Sequence, residues 1–352
     1  AFVCLLSVSC ISAADNNNDN DVVAVADAGT FTELNTVISS GGNISLTKDY
    51  IQTDSYGQIT INKDTNINGN GHTIDAKEKS RIFNITNGVN VTLKNINFIN
   101  GKAPLIGHEA EGGAIYTDSG SVTVINCTFN NNAAIESHQV GYGSGGAIYT
   151  YGGSVTVINC TFNNNTAVAG GAICSYDCSV TVSNSTFNNN TADDLGGAIF
   201  IGEGSVTVIN CTFNNNTANY HGGAIRGEVE DSSIIVVDSK FKDCKATNGK
   251  DIGSIGCVTL MGNEYDGKHN YTTPGEVFGD SIIDVVPGTF AEVQLWINIT
   301  EDKGILDLKN KKYTADETDT TINVNKNITI NGNGAILDAN NKFRIFNIIN
   351  GV

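Results

Sequence analysis

Proline is scarce in this sequence of 352 residues, which contains three prolines, one methionine and one tryptophan. None of the prolines falls between residues 112 and 244, so no backbone N–H is lost there from a strand ladder. Leucine is almost absent from the same stretch, and no segment in it has the length and periodicity of an amphipathic helix. These absences exclude a leucine-rich repeat and leave β-structure for the middle of the chain.

Basic residues are also few, because 20 lysines and arginines stand against 37 acidic residues and give a net charge of −17. Such a balance argues against nucleic acid and anionic lipid as partners and is typical of a solvated surface protein. The five histidines occupy unrelated positions, so no cluster of metal ligands is visible. We therefore expect no cofactor, no metal and no nucleic-acid partner.

One motif is repeated five times in the middle of the chain. GGAI begins at Gly112, Gly145, Gly170, Gly196 and Gly222, so successive copies start 25 to 33 residues apart. A fixed period of roughly 20–50 residues indicates a solenoid or a propeller, and a propeller blade needs about 40–45 residues. The pattern therefore predicts an all-β fold, a parallel β-helix in which each repeat stacks on the next with rungs about 4.8 Å apart.

Because the repeats stack in register, each position of the repeat has one structural role in every rung. The isoleucine of each GGAI, the second valine of each strand and the phenylalanine after it are predicted to form inward columns. Asparagine tolerates the left-handed backbone of a turn. We expect a buried turn column at Asn126, Asn159, Asn184 and Asn210, and a second turn column at Asn132, Asn165, Asn190 and Asn216.

The combination of GGAI with F-x-x-N resembles the repeat of the chlamydial polymorphic outer-membrane proteins. Its asparagine-rich form, FNNN, is similar to the large adhesin-like surface proteins of methanogenic archaea. FNNN begins at Phe129, Phe162, Phe187 and Phe213, whereas Phe241 is followed by Lys-Asp-Cys. The resemblance implies a right-handed parallel β-helix, of the pectin lyase-like kind, in a non-catalytic adhesin-like protein at the cell surface.

The N-terminal region has three parts. Residues 1–14 are apolar, too short to span a bilayer, and are interpreted as the remnant of a secretory signal peptide, which predicts a secreted protein. Residues 15–26 form a leader rich in Asn and Asp. Thr30 and Glu33 have the spacing of a capping box. They predict a short helix over residues 30–39 that covers the first rung of a β-helix module spanning residues 27–279, with its regular repeats at 112–244.

A longer repeat predicts a second module. Residues 59–89 align without gaps with residues 322–352, and a second T-x-x-E box stands at Thr289 and Glu292. We therefore expect a capping helix near residues 289–297 and a second β-helix module, truncated in this sequence, at 284–352. We also expect that the chain is part of a longer tandem protein with no membrane span in this part, and that it is monomeric.

The cysteines leave two alternatives open. Cys127, Cys160 and Cys211 share one repeat position, where Ser185 stands in the copy between them. Rungs about 4.8 Å apart allow either disulfides or a buried column of free thiols. The spacing of Cys174 and Cys178 alone is weak evidence for zinc. The disulfide state stays open for the cysteines after the signal segment: Cys127, Cys160, Cys174, Cys178, Cys211, Cys244 and Cys257.

An enzyme is the main functional alternative, because many carbohydrate-active enzymes have a right-handed β-helix. A polysaccharide lyase, hydrolase or epimerase needs converging carboxylates or acidic calcium ligands. The strongest candidates are Asp193 and Asp194, and Glu109 and Glu111 with His108. Adjacent acidic residues at a turn are typical of a solvated loop, so we expect no catalysis.

The predicted binding surface lies on the outer face. The residue after each GGAI points outward by parity with the inward isoleucine, which gives an aromatic stripe at Tyr116, Tyr149 and Phe200. The longer first repeat adds a loop with Glu136, His138 and Tyr142. An aromatic stripe can stack on sugars, so the predicted partner is a cell-surface glycan or protein. A purely structural surface-layer spacer is the remaining alternative.

Overall fold

The computed structural model describes residues 28–86, 88–106, 109–135, 142–267, 277–278 and 281–349. The described residues from Gly42 to Asp284 form a right-handed parallel β-helix, which confirms the predicted fold class. Each rung of the coil contributes one strand to each of three long sheets, and neighbouring rungs pair in register. The signal and leader segments predicted at residues 1–26 lie outside the described ranges.

Sheet 1 contains the five strands that begin at the isoleucine of a GGAI motif and the equivalent strands of the rungs before and after them. Every pairing that the structure records within it is parallel. Its nine strands are Ile59–Ile61, Phe83–Ile85, Ile115–Asp118, Ile148–Tyr151, Ile173–Tyr176, Ile199–Ile201, Ile225–Gly227, Ile252–Ser254 and Val277–Phe278.

Sheet 2 contains the valine-rich strands, and sheet 3 the short strands with the phenylalanines. The strands of sheet 2 are Gly42–Ser45, Thr65–Asn68, Asn90–Lys94, Ser121–Ile125, Ser154–Ile158, Cys178–Ser183, Gly204–Ile209, Ser233–Val237, Cys257–Met261 and Ser281–Asp284. Those of sheet 3 are Tyr50–Ile51, Thr73–Asp75, Asn97–Ile99, Thr128–Asn130, Thr161–Asn163, Thr186–Asn188, Thr212–Asn214, Lys240–Lys242 and Glu264–Tyr265.

A fourth, shorter sheet was not predicted from the sequence. It forms after the FNNN segments, where the chain passes beside sheet 1 before the next GGAI. We call it the lateral sheet, and its strands are Leu105–Ile106, Glu109–Glu111, Ala133–Ala134, Tyr142–Ser144, Thr166–Ala169, Thr191–Leu195 and Thr217–Ala218.

The core is built from the predicted inward columns. The GGAI isoleucines pair in register and are fully buried. The phenylalanine rings from Phe98 to Phe241 form a continuous stack, with centroids 4.7 to 4.9 Å apart between consecutive rungs. Tyr265 extends the stack at 5.3 Å. Flat rings at the spacing of the strands fill the same volume in every rung, so the core repeats without gaps.

The double glycine is required where sheet 1 meets the lateral sheet. Gly145 has φ +68, and a Cβ on Gly146 would lie 2.1 Å from the carbonyl oxygen of Gly171 in the next rung. Backbones can approach this closely only without side chains. The motif therefore fixes the corner that brings the lateral sheet over sheet 1.

One predicted asparagine column is placed wrongly. Asn126, Asn159, Asn184 and Asn210 have the predicted left-handed backbone, with φ between 49 and 53, but they are exposed. The turn directs these side chains to solvent, because the next residue, such as Cys160, points into the core. The second column, formed by Asn132, Asn165, Asn190 and Asn216, is the one that is fully buried.

The first helix is confirmed at Phe31–Ile38, with the capping box between Thr30 and Glu33 in place. Its buried residues Phe31 and Leu34 close the open end of the core. Since the edge of a sheet is a template for aggregation, the helix protects the first rung.

The second helix is confirmed at Phe290–Ile299, but its predicted capping box is wrong. The Thr289 side chain makes no cap. The Asp319 carboxylate instead accepts hydrogen bonds from the backbone N–H groups of Phe290 and Ala291, at 3.1 and 2.8 Å. This carboxylate comes from a loop 29 residues further along the chain, so the local motif could not reveal it.

The second helix contacts two hydrophobic clusters. Phe290, Val293 and Ile297 pack in the core of the following unit, whose paired strands are Ile305–Asp307 with Thr329–Asn331, Lys312–Thr314 with Ile336–Asp338, and Ile322–Val324 with Phe346–Ile348. Leu295 packs with Val237, Met261 and Val285 of the first β-helix. Sheet 2 of that β-helix includes Ser281–Asp284, beyond the predicted end of the module at residue 279.

Candidate binding cleft

The predicted aromatic stripe has the correct parity but not the predicted exposure. Tyr116, Tyr149, Cys174, Phe200 and Arg226 are register partners on the outer side of sheet 1. Tyr149 and Phe200 belong to a cluster separate from the core of the coil, yet they are only 6% and 2% exposed. The expectation of an open stripe is therefore wrong.

The lateral sheet explains this burial. Ser144, Ala169, Leu195 and His221 are successive partners along it, and Ala169 and Leu195 pack against the aromatic cluster. The strands that follow FNNN thus cover the stripe along one side. The result is a cleft between the lateral sheet and sheet 1, in place of a flat aromatic surface.

The cleft has a volume of about 490 Å³ and combines aromatic rings with carboxylates. The Tyr176 ring lies between those of Tyr149 and Phe200, at centroid distances of 6.1 and 5.6 Å and tilted by 48° and 55°. Tyr151, which is 50% exposed, lies at the rim. The lining residues are Glu111, Gly143, Ser144, Tyr149, Tyr151, Val168, Ala169, Tyr176, Asp194, Leu195, Phe200 and Glu228.

Arg81 anchors one end of the aromatic row. It is 3% exposed, its guanidinium lies 4.8 Å from the centroid of the Tyr116 ring, and it donates to the carbonyl oxygens of Glu111 and Gly112. Burial lowers its pKa to about 10, against the nearby negative charge of Glu111. Arg81 remains charged at neutral pH and holds Glu111 at the cleft.

Two of the three cleft carboxylates have partners within the protein. Burial raises the pKa of Tyr149, and the nearby negative charge of Glu111 raises it further, so Glu111 and the Tyr149 hydroxyl interact in the cleft. Glu228 accepts from Nε and Nη2 of Arg226, both at 2.9 Å. Their charges are thus partly compensated before any ligand binds.

Asp194 differs from these two, because within the described ranges its carboxylate has no hydrogen-bond or ion-pair partner. Burial raises the pKa of Asp194, the negative charge of Glu228 raises it further, and His221 opposes the shift. A half-buried carboxylate without a partner is electrostatically costly. The cleft therefore offers one strong acceptor to an incoming ligand.

The other predicted site residues are only partly described. Glu136, His138 and His108 lie outside the described ranges. Tyr142 begins the lateral strand Tyr142–Ser144, and its neighbours Gly143 and Ser144 line the cleft. Asp193 is exposed and does not line the cleft, whereas its neighbour Asp194 is half-buried and does. Of the two, Asp194 alone belongs to the cleft.

Three cleft residues were not predicted from the sequence: Tyr151, Tyr176 and Glu228. Tyr151 and Tyr176 are register partners in consecutive rungs, so their equivalent repeat positions were a usable signal. Glu228 carried no such signal, because it reaches the cleft through its bond to Arg226. The described residues contain no group of three or more His, Cys, Asp or Glu side chains able to hold a metal.

The cysteines at the shared repeat position are buried free thiols in the described structure. Cys127 and Cys160 are 1% and 2% exposed, and the backbone N–H of Cys127 donates to Sγ of Cys160 at 3.4 Å. Ser185 takes the same role in the next rung, where it accepts from the backbone N–H of Cys160 at 3.0 Å. The column is part of the core packing, away from the cleft.

The protein is thus a right-handed parallel β-helix with a cleft between its lateral sheet and sheet 1. Residues 112–271 match the family model described as "Right handed beta helix region". This range includes the cleft residues except Glu111. Comparison with curated proteins and with solved structures gave no significant match. None of the described helices is long and apolar enough to cross a membrane.

Proposed function

We propose that this protein is a secreted, non-catalytic adhesin-like protein of the cell surface that binds a glycan in the lateral cleft. The observation that carries the proposal is the joint presence of Tyr151, Tyr176 and three carboxylates in one cleft. Aromatic faces stack on the apolar faces of sugar rings, and carboxylates accept hydrogen bonds from sugar hydroxyls. The repeated architecture suits an extended partner.

The charge of the protein narrows the choice of glycan. A net charge of −17 and a cleft with Glu111, Asp194 and Glu228 disfavour an anionic polysaccharide. A neutral or cationic chain meets no such repulsion. Single cleft contacts are expected to be weak, and tandem modules acting together would supply avidity.

A glycan array with matched tyrosine variants tests this function. Tyr151→Ala and Tyr176→Ala remove rings from the cleft, and we expect binding to fall about tenfold or more for each, the effect of one lost stacking contact. Tyr220→Ala is the control, since Tyr220 is 58% exposed and does not line the cleft. Equal loss in all three variants, or no binding by the parent protein, would refute the proposed site.

An enzyme that cleaves polysaccharides is the second candidate, and Asp194 is the observation that favours it. The raised pKa of Asp194 suits a general acid, and Glu111 and Glu228, which line the same cleft, are the candidate bases. Incubation with a polysaccharide panel separates the candidates. If the protein releases reducing or unsaturated ends and the Asp194→Asn variant does not, the enzyme hypothesis replaces the adhesin hypothesis.

The hypothesis of a structural spacer predicts a different result from the adhesin and enzyme hypotheses. A spacer would neither bind glycans nor release products, and Tyr151→Ala would leave every readout unchanged. Proteins and whole cells should therefore be included as ligands in the binding assay, because a partner protein is the other adhesin ligand.

A further inference from the structure

The three carboxylates of the cleft differ in whether a partner within the protein compensates their negative charge. Glu111 lies beside Arg81 and the Tyr149 hydroxyl, and Glu228 is paired with Arg226. Asp194 has no cation bonded to it within the described ranges, and His221 is the one basic side chain that opposes the rise in the pKa of Asp194. One negative charge of the cleft is thus left for a ligand.

The rings beside this charge also favour a cation. The negative faces of aromatic rings attract ammonium groups, and several tilted rings around one space are typical of sites for organic cations. Tyr151 and Tyr176 line the cleft together with Asp194, while Tyr149 and Phe200, which are 6% and 2% exposed, pack against Tyr176 from either side. Tyr151 and Tyr176 also provide stacking area for a pyranose.

We propose that the lateral cleft binds a glycan carrying free amino groups, with the Asp194 carboxylate pairing the ammonium group while Tyr151 and Tyr176 stack on the sugar. This inference rests on the proposed function and names its ligand class. The hydroxyls of a neutral sugar can donate hydrogen bonds to Asp194, but they leave its half-buried negative charge without a counter-charge. An ammonium group offsets that cost and forms a charge-assisted hydrogen bond.

Isothermal titration calorimetry with two matched sugars tests whether the ammonium group of the ligand contributes to binding. The probes are the β-1,4-linked trimer of glucosamine and the same trimer of N-acetylglucosamine, at a pH where the free amines are protonated. The two trimers share their sugar backbone and differ at the amino group, which is charged in the first and acetylated and neutral in the second. We expect the amino trimer to bind at least about tenfold more tightly, since a hydrogen bond between charged groups contributes that much.

Adjacent aspartates provide the matched variants. Asp194→Asn removes the proposed partner, and Asp193→Asn removes the same charge from an adjacent, exposed position that does not line the cleft. We expect Asp194→Asn to abolish the preference for the amino trimer, while Asp193→Asn changes it less than twofold. Thermal unfolding should confirm that both variants are folded.

Each outcome decides between the claims. If both trimers bind equally and Asp194→Asn has no effect, the charged ligand is refuted while the glycan-binding function stands. If neither trimer binds and the glycan array is also empty, the proposed function fails together with this inference. If Asp193→Asn reduces affinity as much as Asp194→Asn, the attraction is a general effect of net charge and the specific pairing is overturned.

Discussion

Replacing Asn190 by alanine tests the column that holds the rungs together. Asn190 is fully buried. Its Oδ1 accepts from the backbone N–H and the side-chain amide of Asn165, at 3.1 and 2.9 Å. Its Nδ2 donates to the Phe162 carbonyl oxygen and to Oδ1 of Asn216, at 3.1 and 3.0 Å. One amide thus connects the rung before it with the rung after it.

The expected loss follows from the groups left without partners. Asn190→Ala leaves two N–H groups of Asn165 buried with no acceptor, and each costs about 1–3 kcal/mol. We therefore expect the free energy of unfolding to fall by about 2–6 kcal/mol. Because the stability of a solenoid depends on contacts between neighbouring rungs, the loss acts on the coupling of consecutive rungs.

The assay is equilibrium urea unfolding followed by circular dichroism, with Asn189→Gly as the control. Asn189 is exposed, has φ 53, and accepts one surface hydrogen bond from Asn215 at 2.8 Å. Glycine adopts this backbone without strain, so the control should lose about 1 kcal/mol or less. Equal losses at the two positions, or less than about 1 kcal/mol at Asn190, would refute the account of the buried column.

Two further predictions concern the core. Phe187→Ala removes a ring stacked at 4.7 and 4.8 Å on its neighbours and should lower the free energy of unfolding by about 3–5 kcal/mol. The outward-facing Thr186→Ala should lower it by less than about 1 kcal/mol. Similar urea midpoints for the two variants would contradict the assignment of the strand faces. In the folded protein, a thiol reagent should label half-buried Cys257 before the buried cysteines, because burial raises the pKa of Cys211 to about 11 and of Cys244 to about 12. Mass spectrometry finding Cys211 labelled first would contradict this order.

The repeat of the sequence determined the coil. GGAI and FNNN fix which residues point inward, because a strand alternates its faces and stacked rungs align equal positions. The columns of Ile148 and Phe162 could therefore be assigned without a structure, as could the helix begun by Thr30 and Glu33. Each of these depends on residues a few positions apart or at one fixed period.

The tertiary structure alone decided the cleft. The segments of the lateral sheet are short and irregular, so nothing in them showed that they fold back over Tyr149 and Phe200 and bury them. The pairing of Glu228 with Arg226, and the lack of a partner for Asp194 in the described part of the chain, depend on distances between rungs and sheets. Periodicity specifies which face a side chain takes, whereas its exposure and charge partners depend on what packs against that face.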